Sequence, residues 1–120
     1  MPKSLLILSR QSPWSGPGAR EALDIVLAGG AFDLPIGMLF LDDGVFQLAP
    51  RQAAAALEQK DLTANLKALE MFGVEDLYVC SQSLAERGLA GMDLGSEVNR
   101  LDDGAELSAL LERYDQVITI

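Results

Sequence analysis

Leu5-Leu6-Ile7-Leu8 and Pro35-Ile36-Gly37-Met38-Leu39-Phe40-Leu41, with the segment between them, decide the fold. Both runs are short, apolar and without polar alternation, the pattern of strands covered on both faces in a parallel sheet. Pro35 is tolerated because it opens its strand. Between the runs, the turn-rich loop Ser9-Arg10-Gln11-Ser12-Pro13-Trp14-Ser15-Gly16-Pro17-Gly18 gives way to Ala19–Leu27. There Leu23, Val26 and Leu27 share one helical face, and Gly29-Gly30 predicts a stop. Strand, helix and strand make a βαβ unit, because parallel neighbours need such a crossover.

Working outward, Asp42-Asp43-Gly44 predicts a turn. Two helical stretches follow at Arg51–Lys60 and Asp61–Phe72, the second carrying a core stripe of Leu62, Leu66 and Leu69 and ended by Gly73. Asp76-Leu77-Tyr78-Val79-Cys80 reads as a third strand that runs directly into a helix. Ser83 and Glu86 stand at capping-box spacing in that helix, with Gly88 as its left-handed stop. Glu97–Leu101 reads as a short fourth strand. Asp103 and Glu106 repeat the capping-box spacing ahead of Leu107, Leu110, Leu111 and Tyr114, and Gln116–Ile120 is a terminal strand. The order β-α-β-α-β-α-β-α-β, without internal repeat or low-complexity tract, predicts one domain over residues 1–120. The fold class is α/β: a flavodoxin-like three-layer α/β/α arrangement with a five-stranded, mostly parallel sheet. In such sheets ligands collect beyond the carboxyl ends of the strands, which brings together the loops Ser9–Gly18, Asp42–Leu48 and Cys80–Ser83.

Composition bounds the function. The chain has 120 residues, 49% hydrophobic and 22% charged, the profile of a single globular domain. No apolar stretch approaches the ~20 residues of a membrane span, and the start lacks the features of a secretory signal. The single cysteine allows no internal disulfide, so a reducing, cytoplasmic setting is expected. A net charge of −9 with scattered basic residues disfavours direct contact with nucleic acid. The absence of histidine excludes imidazole-based triads and the usual zinc ligand.

Four features carry candidate chemistry. Cys80 sits between a strand and the first turn of a helix, where unpaired amides would favour a thiolate or a persulfide anion; the alternative is an inert cysteine packing as a small hydrophobe. The Ser9–Gly18 loop could cradle a phosphate as a flavodoxin's first loop does, or be an ordinary turn, and Pro17 removes an amide donor. Asp42 and Asp43 could bind magnesium as in receiver domains, but Cys80 stands where a receiver has its phospho-accepting aspartate. Val45, Phe46 and Leu48 are apolar in a loop position. They are candidates either for a subunit contact or for folding back onto the core.

Asp43-Gly44-Val45-Phe46-Gln47-Leu48 and Tyr78-Val79-Cys80-Ser81-Gln82-Ser83-Leu84-Ala85-Glu86-Arg87-Gly88-Leu89 resemble the TusC/DsrF family. So do the opening strand, the Gly16-Pro17-Gly18-Ala19-Arg20-Glu21 start of the first helix, and Tyr114-Asp115-Gln116-Val117-Ile118, so that the likeness spans nearly the whole chain. The resemblance implies a subunit of a sulfur relay that assembles with TusB-like and TusD-like homologues as a dimer of heterotrimers. Such a complex takes persulfide sulfur from a TusA-like carrier toward a TusE-like one, for 2-thiolation of the tRNA wobble uridine. Related Dsr complexes use the same architecture in sulfur oxidation. The resemblance implies no cofactor and no metal. It also implies that the main sulfur-carrying cysteine belongs to the TusD/DsrE-type sister subunit, which leaves Cys80 as a secondary carrier, a relic or a packing residue. Sulfur transfer needs a thiolate but no obligatory general base. The other reading is a flavodoxin-like module that binds a small molecule or nucleotide.

Overall fold

In the computed structural model, which describes residues 3–12, 16–48, 69, 71, 74, 76–91 and 98–120, each apolar run becomes a strand. β1 is Leu5–Ser9, α1 Gly18–Ala31 and β2 Ile36–Phe40; a 3-10 helix covers Asp42–Leu48. Then come β3 at Leu77–Cys80, α2 at Ser81–Glu86, β4 at Val98–Leu101, α3 at Gly104–Arg113 and β5 at Gln116–Thr119. The strands form one sheet in the order β4-β3-β2-β1-β5, and every pairing is parallel. The predicted stretch 51–60 and most of 61–72 lie outside the described residues. Of the leucine stripe expected there, Leu69 is described and is fully buried.

The strand residues divide by parity between two cores, as the pleat requires. Ile7, Met38, Phe40, Leu77 and Val79 face α1 and meet its Ala19, Ala22, Leu23 and Val26, together with Val45, Leu69 and Leu84. Leu6, Leu39 and Tyr78 face the other way and meet Leu110 of α3, with Leu107, Leu111 and Tyr114 packed around them. Helices therefore cover both faces, which makes three layers. Each fully buried leucine, isoleucine or phenylalanine side chain contributes ~1.5–3 kcal/mol. The Tyr114 hydroxyl is pushed above its ordinary pKa, first by burial and then by the neighbouring Tyr78 and Asp76.

Several local expectations are replaced. α1 does not stop at Gly29-Gly30 but runs through both to Ala31. Gly29 lies against Ile36, and a Cβ there would stand 2.9 Å from the Ile36 Cδ1, so this glycine permits close helix–strand packing. The chain turns after it through Asp33, at φ 57°. Ser83 does not cap its helix: α2 begins two residues earlier, behind Cys80, with no side-chain cap. Gly88 does supply the left-handed stop, at φ 72°. Asp103 caps its helix as expected, with Glu106 N–H donating to Asp103 Oδ1 at 2.8 Å, while the Glu106 side chain reaches one residue beyond the cap and accepts from Asp102 N–H at 2.9 Å.

The α/β class and the five parallel strands agree with the sequence, but the strand order departs from the 2-1-3-4-5 of flavodoxins. Here β1 to β4 step in one direction and only β5 crosses back beside β1. The switch in order thus falls between β1 and β5, away from β3. Hydrophobic periodicity specifies strands and their covering, whereas neighbour choice depends on which face each crossover takes.

The last strand is held in place by a polar staple. Ser4 N–H and Oγ both donate to Asp115 Oδ2, at 2.8 and 3.1 Å, and Asp115 N–H donates to Ser4 Oγ at 3.0 Å. These bonds, the backbone one foremost, hold the Asp115 carboxyl below its ordinary pKa. A lowered carboxyl contributes stability that is present above its unfolded value, roughly pH 4, and is lost as pH falls through the folded one. Asp115→Asn is therefore expected to flatten the stability curve on the acid side of pH 4, which urea melts across a pH series would check.

Candidate functional site

The carboxyl ends of β1, β2 and β3 are adjacent in the sheet, and the segment leaving β2 ties them together. Asp42 takes a left-handed conformation, φ 51°, which aspartate tolerates better than most residues. That twist starts the 3-10 helix where the sequence predicted only a turn. Asp42 N–H donates to Ser83 Oγ at 2.9 Å, so the buried Ser83 receives the chain leaving β2 instead of capping its own helix. Gly44 then lies against the Ser9 carbonyl so closely that a Cβ at this position would overlap it.

The centre of this clasp is Gln47, which has no exposed surface. Its Nε2 donates to Ser9 Oγ at 2.6 Å and to the Gln11 carbonyl at 3.0 Å. A buried amide is costly unless bonded, so Gln47 holds the exit of β1 in one geometry. Two ion pairs close the outside. Arg10 Nε reaches Asp42 Oδ2 at 2.6 Å, and Arg87 Nε reaches Asp43 Oδ1 at 2.8 Å while its Nη1 donates to the Ser83 carbonyl at 3.2 Å. The first pair is about half exposed and contributes under about 1 kcal/mol; its role is directional.

The interface candidates fall on this clasp. Val45 is fully buried in the larger core, Leu48 packs against that core, and Phe46 is half-buried. Val45 is thus a core residue, and only Phe46 and Leu48 keep surface to offer a partner.

Cys80 looks elsewhere. Val79 before it points into the α1-side core, so the Cys80 side chain lies on the α3 side of the sheet. The half-buried thiol borders a shallow cleft lined by Gln82, Leu101, Asp102, Asp103, Gly104 and Leu107. Two features temper the anion-binding expectation. α2 has only 6 residues, too short for a sizeable dipole, and the first turn of α3 is already served by Asp103 and Glu106. Asp102, which accepts from Ser81 Oγ at 2.9 Å, adds negative charge beside the thiol. The three predicted loops meet through the side chains of Ser9, Gln47 and Ser83, yet the thiol and the clasp occupy opposite faces.

Sequence reasoning did not single out Gln47, Ser83, Ser9 or Arg87 as a unit. The available signal was Gln47, one amide inside the apolar Val45-Phe46-Gln47-Leu48 block. In the first loop, the Ser9 hydroxyl serves Gln47, and Ser12 is buried. Among the described residues, no group of three or more histidine, cysteine or carboxylate side chains is placed to hold a metal ion. No helix among them is long and apolar enough to cross a membrane.

Comparison with known proteins finds the DsrE/DsrF-like family model matching residues 3–120. The chain is 72% identical over 120 residues to a Protein TusC homolog of Pseudomonas aeruginosa, covering all of both chains. It is 36% identical over 115 residues to a Protein TusC homolog of Vibrio vulnificus, covering 96% of this chain and 97% of that one. Among solved structures, the ychN protein from E. coli superposes with a TM-score of 0.81 at 20% identity over the full length of both chains. A conserved protein of unknown function from Bacteroides thetaiotaomicron, BT1422, gives 0.67 at 14% identity, covering 98% and 95% of the two chains. At these identities the two structures show a shared fold.

Gln47→Leu removes the donor to Ser9 and Gln11 and leaves the buried Ser9 hydroxyl without that partner, so a loss of ~1–3 kcal/mol is expected from urea unfolding. Gly44→Ala forces the clasp off the β1 end and should cost ~1–3 kcal/mol. Arg10→Ala should change stability by under about 1 kcal/mol. A Gln47→Leu variant as stable as the parent would show that the clasp is not what orders these loops.

Proposed function

The chain belongs to the DsrE/DsrF-like family, and from that premise we propose that it is a TusC-like subunit of a sulfur relay complex. The observation that carries this reading is the likeness, end to end and at 72% identity, to a Protein TusC homolog. In the proposed complex it joins TusB-like and TusD-like homologues in a cytoplasmic dimer of heterotrimers. That complex accepts persulfide sulfur from a TusA-like carrier and passes it toward a TusE-like one, for 2-thiolation of the tRNA wobble uridine. Its role is chiefly that of a scaffold, and Phe46 and Leu48 are proposed as contacts to a sister subunit.

Physical features support a protein-facing role. Side chains of the chain itself occupy the carboxyl ends of β1 to β3, so the clasp is a rigid shoulder rather than an open cradle. The net charge of −9 suits protein partners better than a phosphate backbone. Cys80 is proposed as the sulfur-accepting thiol of this subunit, secondary to the cysteine of the TusD-like sister. Its thiolate would attack the outer sulfur of a donor persulfide, forming Cys80–S–SH and releasing the donor thiolate, with no oxidant needed.

Co-expression with TusB-like and TusD-like subunits is expected to yield a stable complex, and deletion of the gene to remove the 2-thio group from the tRNA wobble uridine, read by mass spectrometry of nucleosides. A chain that stays alone beside those partners would defeat the assembly reading. Normal thiolation after deletion would instead point to sulfur oxidation. Within the complex, exposure to a persulfidated donor should add about one sulfur atom, roughly 32 Da, to Cys80. Cys80→Ser should abolish that adduct and leave assembly unchanged.

A further inference from the structure

α3 lies on the sheet by one face. Leu107, Leu110, Leu111 and Tyr114 recur along that face at helical spacing and pack with Leu6, Leu39 and Tyr78. Position 104 belongs to the same stripe, since it stands three residues before Leu107 and seven before Leu111. It is the first member of the stripe, and it is a glycine. Cys80 pairs beside Leu101 of β4, so these two side chains stand on one face of the sheet. The shallow cleft that Cys80, Leu101, Leu107 and Gly104 border is thus the place where the stripe lacks a side chain.

Neither packing nor backbone conformation requires that glycine. Gly104 is the exposed first residue of α3 and does not take a positive φ. A Cβ built on it meets no atom of the described residues within 4 Å. Gly29, Gly37 and Gly44 differ, because a Cβ on each would press on Ile36, the Tyr114 hydroxyl and the Ser9 carbonyl respectively. Glycine is also a poor helix former, so alanine or leucine at this position would serve the fold better. The neighbouring corners are held together: Ser81 Oγ donates to Asp102 Oδ1 at 2.9 Å, which ties the turn after Cys80 to the turn after Leu101.

We propose that Gly104 determines access to the Cys80 thiol: with no side chain at the head of the α3 stripe, the thiol stays open to the terminal sulfur of a persulfide. This role rests on the reading of Cys80 as a sulfur acceptor and names what lets the donor in. The Cys80 thiolate attacks the outer sulfur of R–S–SH, the donor S–S bond breaks as Cys80–S–SH forms, and R–S⁻ leaves. The proton stays on the transferred sulfur, and no oxidant is consumed. Helix side chains lean toward the helix N-terminus, and the cleft lies at that end of α3. A side chain at position 104 would therefore fill the space that the donor sulfur needs.

The test follows Cys80 by intact mass in the purified parent chain, Gly104→Ala and Gly104→Leu, with iodoacetamide, the bulkier N-ethylmaleimide and glutathione persulfide as reagents. Gly104→Leu is expected to slow alkylation by iodoacetamide roughly tenfold and by N-ethylmaleimide more, with Gly104→Ala in between. Sulfur uptake from glutathione persulfide should fall in the same order. All three chains should react alike when unfolded in urea. The urea midpoints of both variants should equal or exceed that of the parent, because the site has open space and both residues favour a helix. Gly104→Leu reacting as fast as the parent overturns the proposal. So does a midpoint below that of the parent, which would show that the fold itself needs the glycine. A parent thiol that alkylates readily yet gains no sulfur defeats the sulfur-accepting reading of Cys80, while the alkylation rates still decide whether Gly104 sets access.

Discussion

Every residue of β2 is buried, and that constraint governs the rest of the molecule. A strand with no solvent face, flanked on both edges by parallel partners, requires apolar cover above and below. α1 with its neighbours supplies one layer and α3 the other. Parallel strands also put all their carboxyl ends on one side, so the segments after β1, β2 and β3 are forced into each other's company. Once there, their polar backbone must find partners without water. Gln47, Ser9 and Ser83 meet that need from within the chain.

This internal satisfaction shapes the function. In many doubly wound proteins a crevice at the switch in strand order stays open for a phosphate or a nucleotide, and here that switch lies between β1 and β5, not at the clasp. At the ends of β1 and β2 the turn of Asp42, the close approach of Gly44 to Ser9 and the buried amide of Gln47 pack the chain against itself. The result is a firm surface bounded by two ion pairs, with Phe46 and Leu48 half-exposed upon it. Such a surface suits a component of an assembly. The only cysteine sits on the other face of the sheet beside a shallow cleft bordered by Asp102 and Asp103, apart from the clasp.

Much of this was legible before any coordinates. Runs such as Leu5-Leu6-Ile7-Leu8 read as covered strands because each is too short for a helix and is followed by turn formers. The Asp103 cap and the Gly88 stop were readable because capping is local chemistry between residues a few positions apart. Strand count, parallel direction and the placing of Cys80 at a strand end all followed from patterns of that short range. The family resemblance rested on the same blocks.

What the tertiary structure alone decided involves residues far apart in the chain. Gly29 looked like a helix stop until Ile36, on the next strand, was seen to need its missing side chain. Ser83 looked like a cap until the amide of Asp42, 41 positions away, claimed its hydroxyl. Val45 and Gln47 differ in polarity yet both end fully buried, because Ser9 and Gln11 happen to offer acceptors at the right place. The strand order, and with it the separation of the Cys80 thiol from the clasp, depends on which face each crossover takes. A residue's own neighbours set its conformational preference. Its burial, its partners and the face it looks from are set by segments that meet it only when the sheet closes.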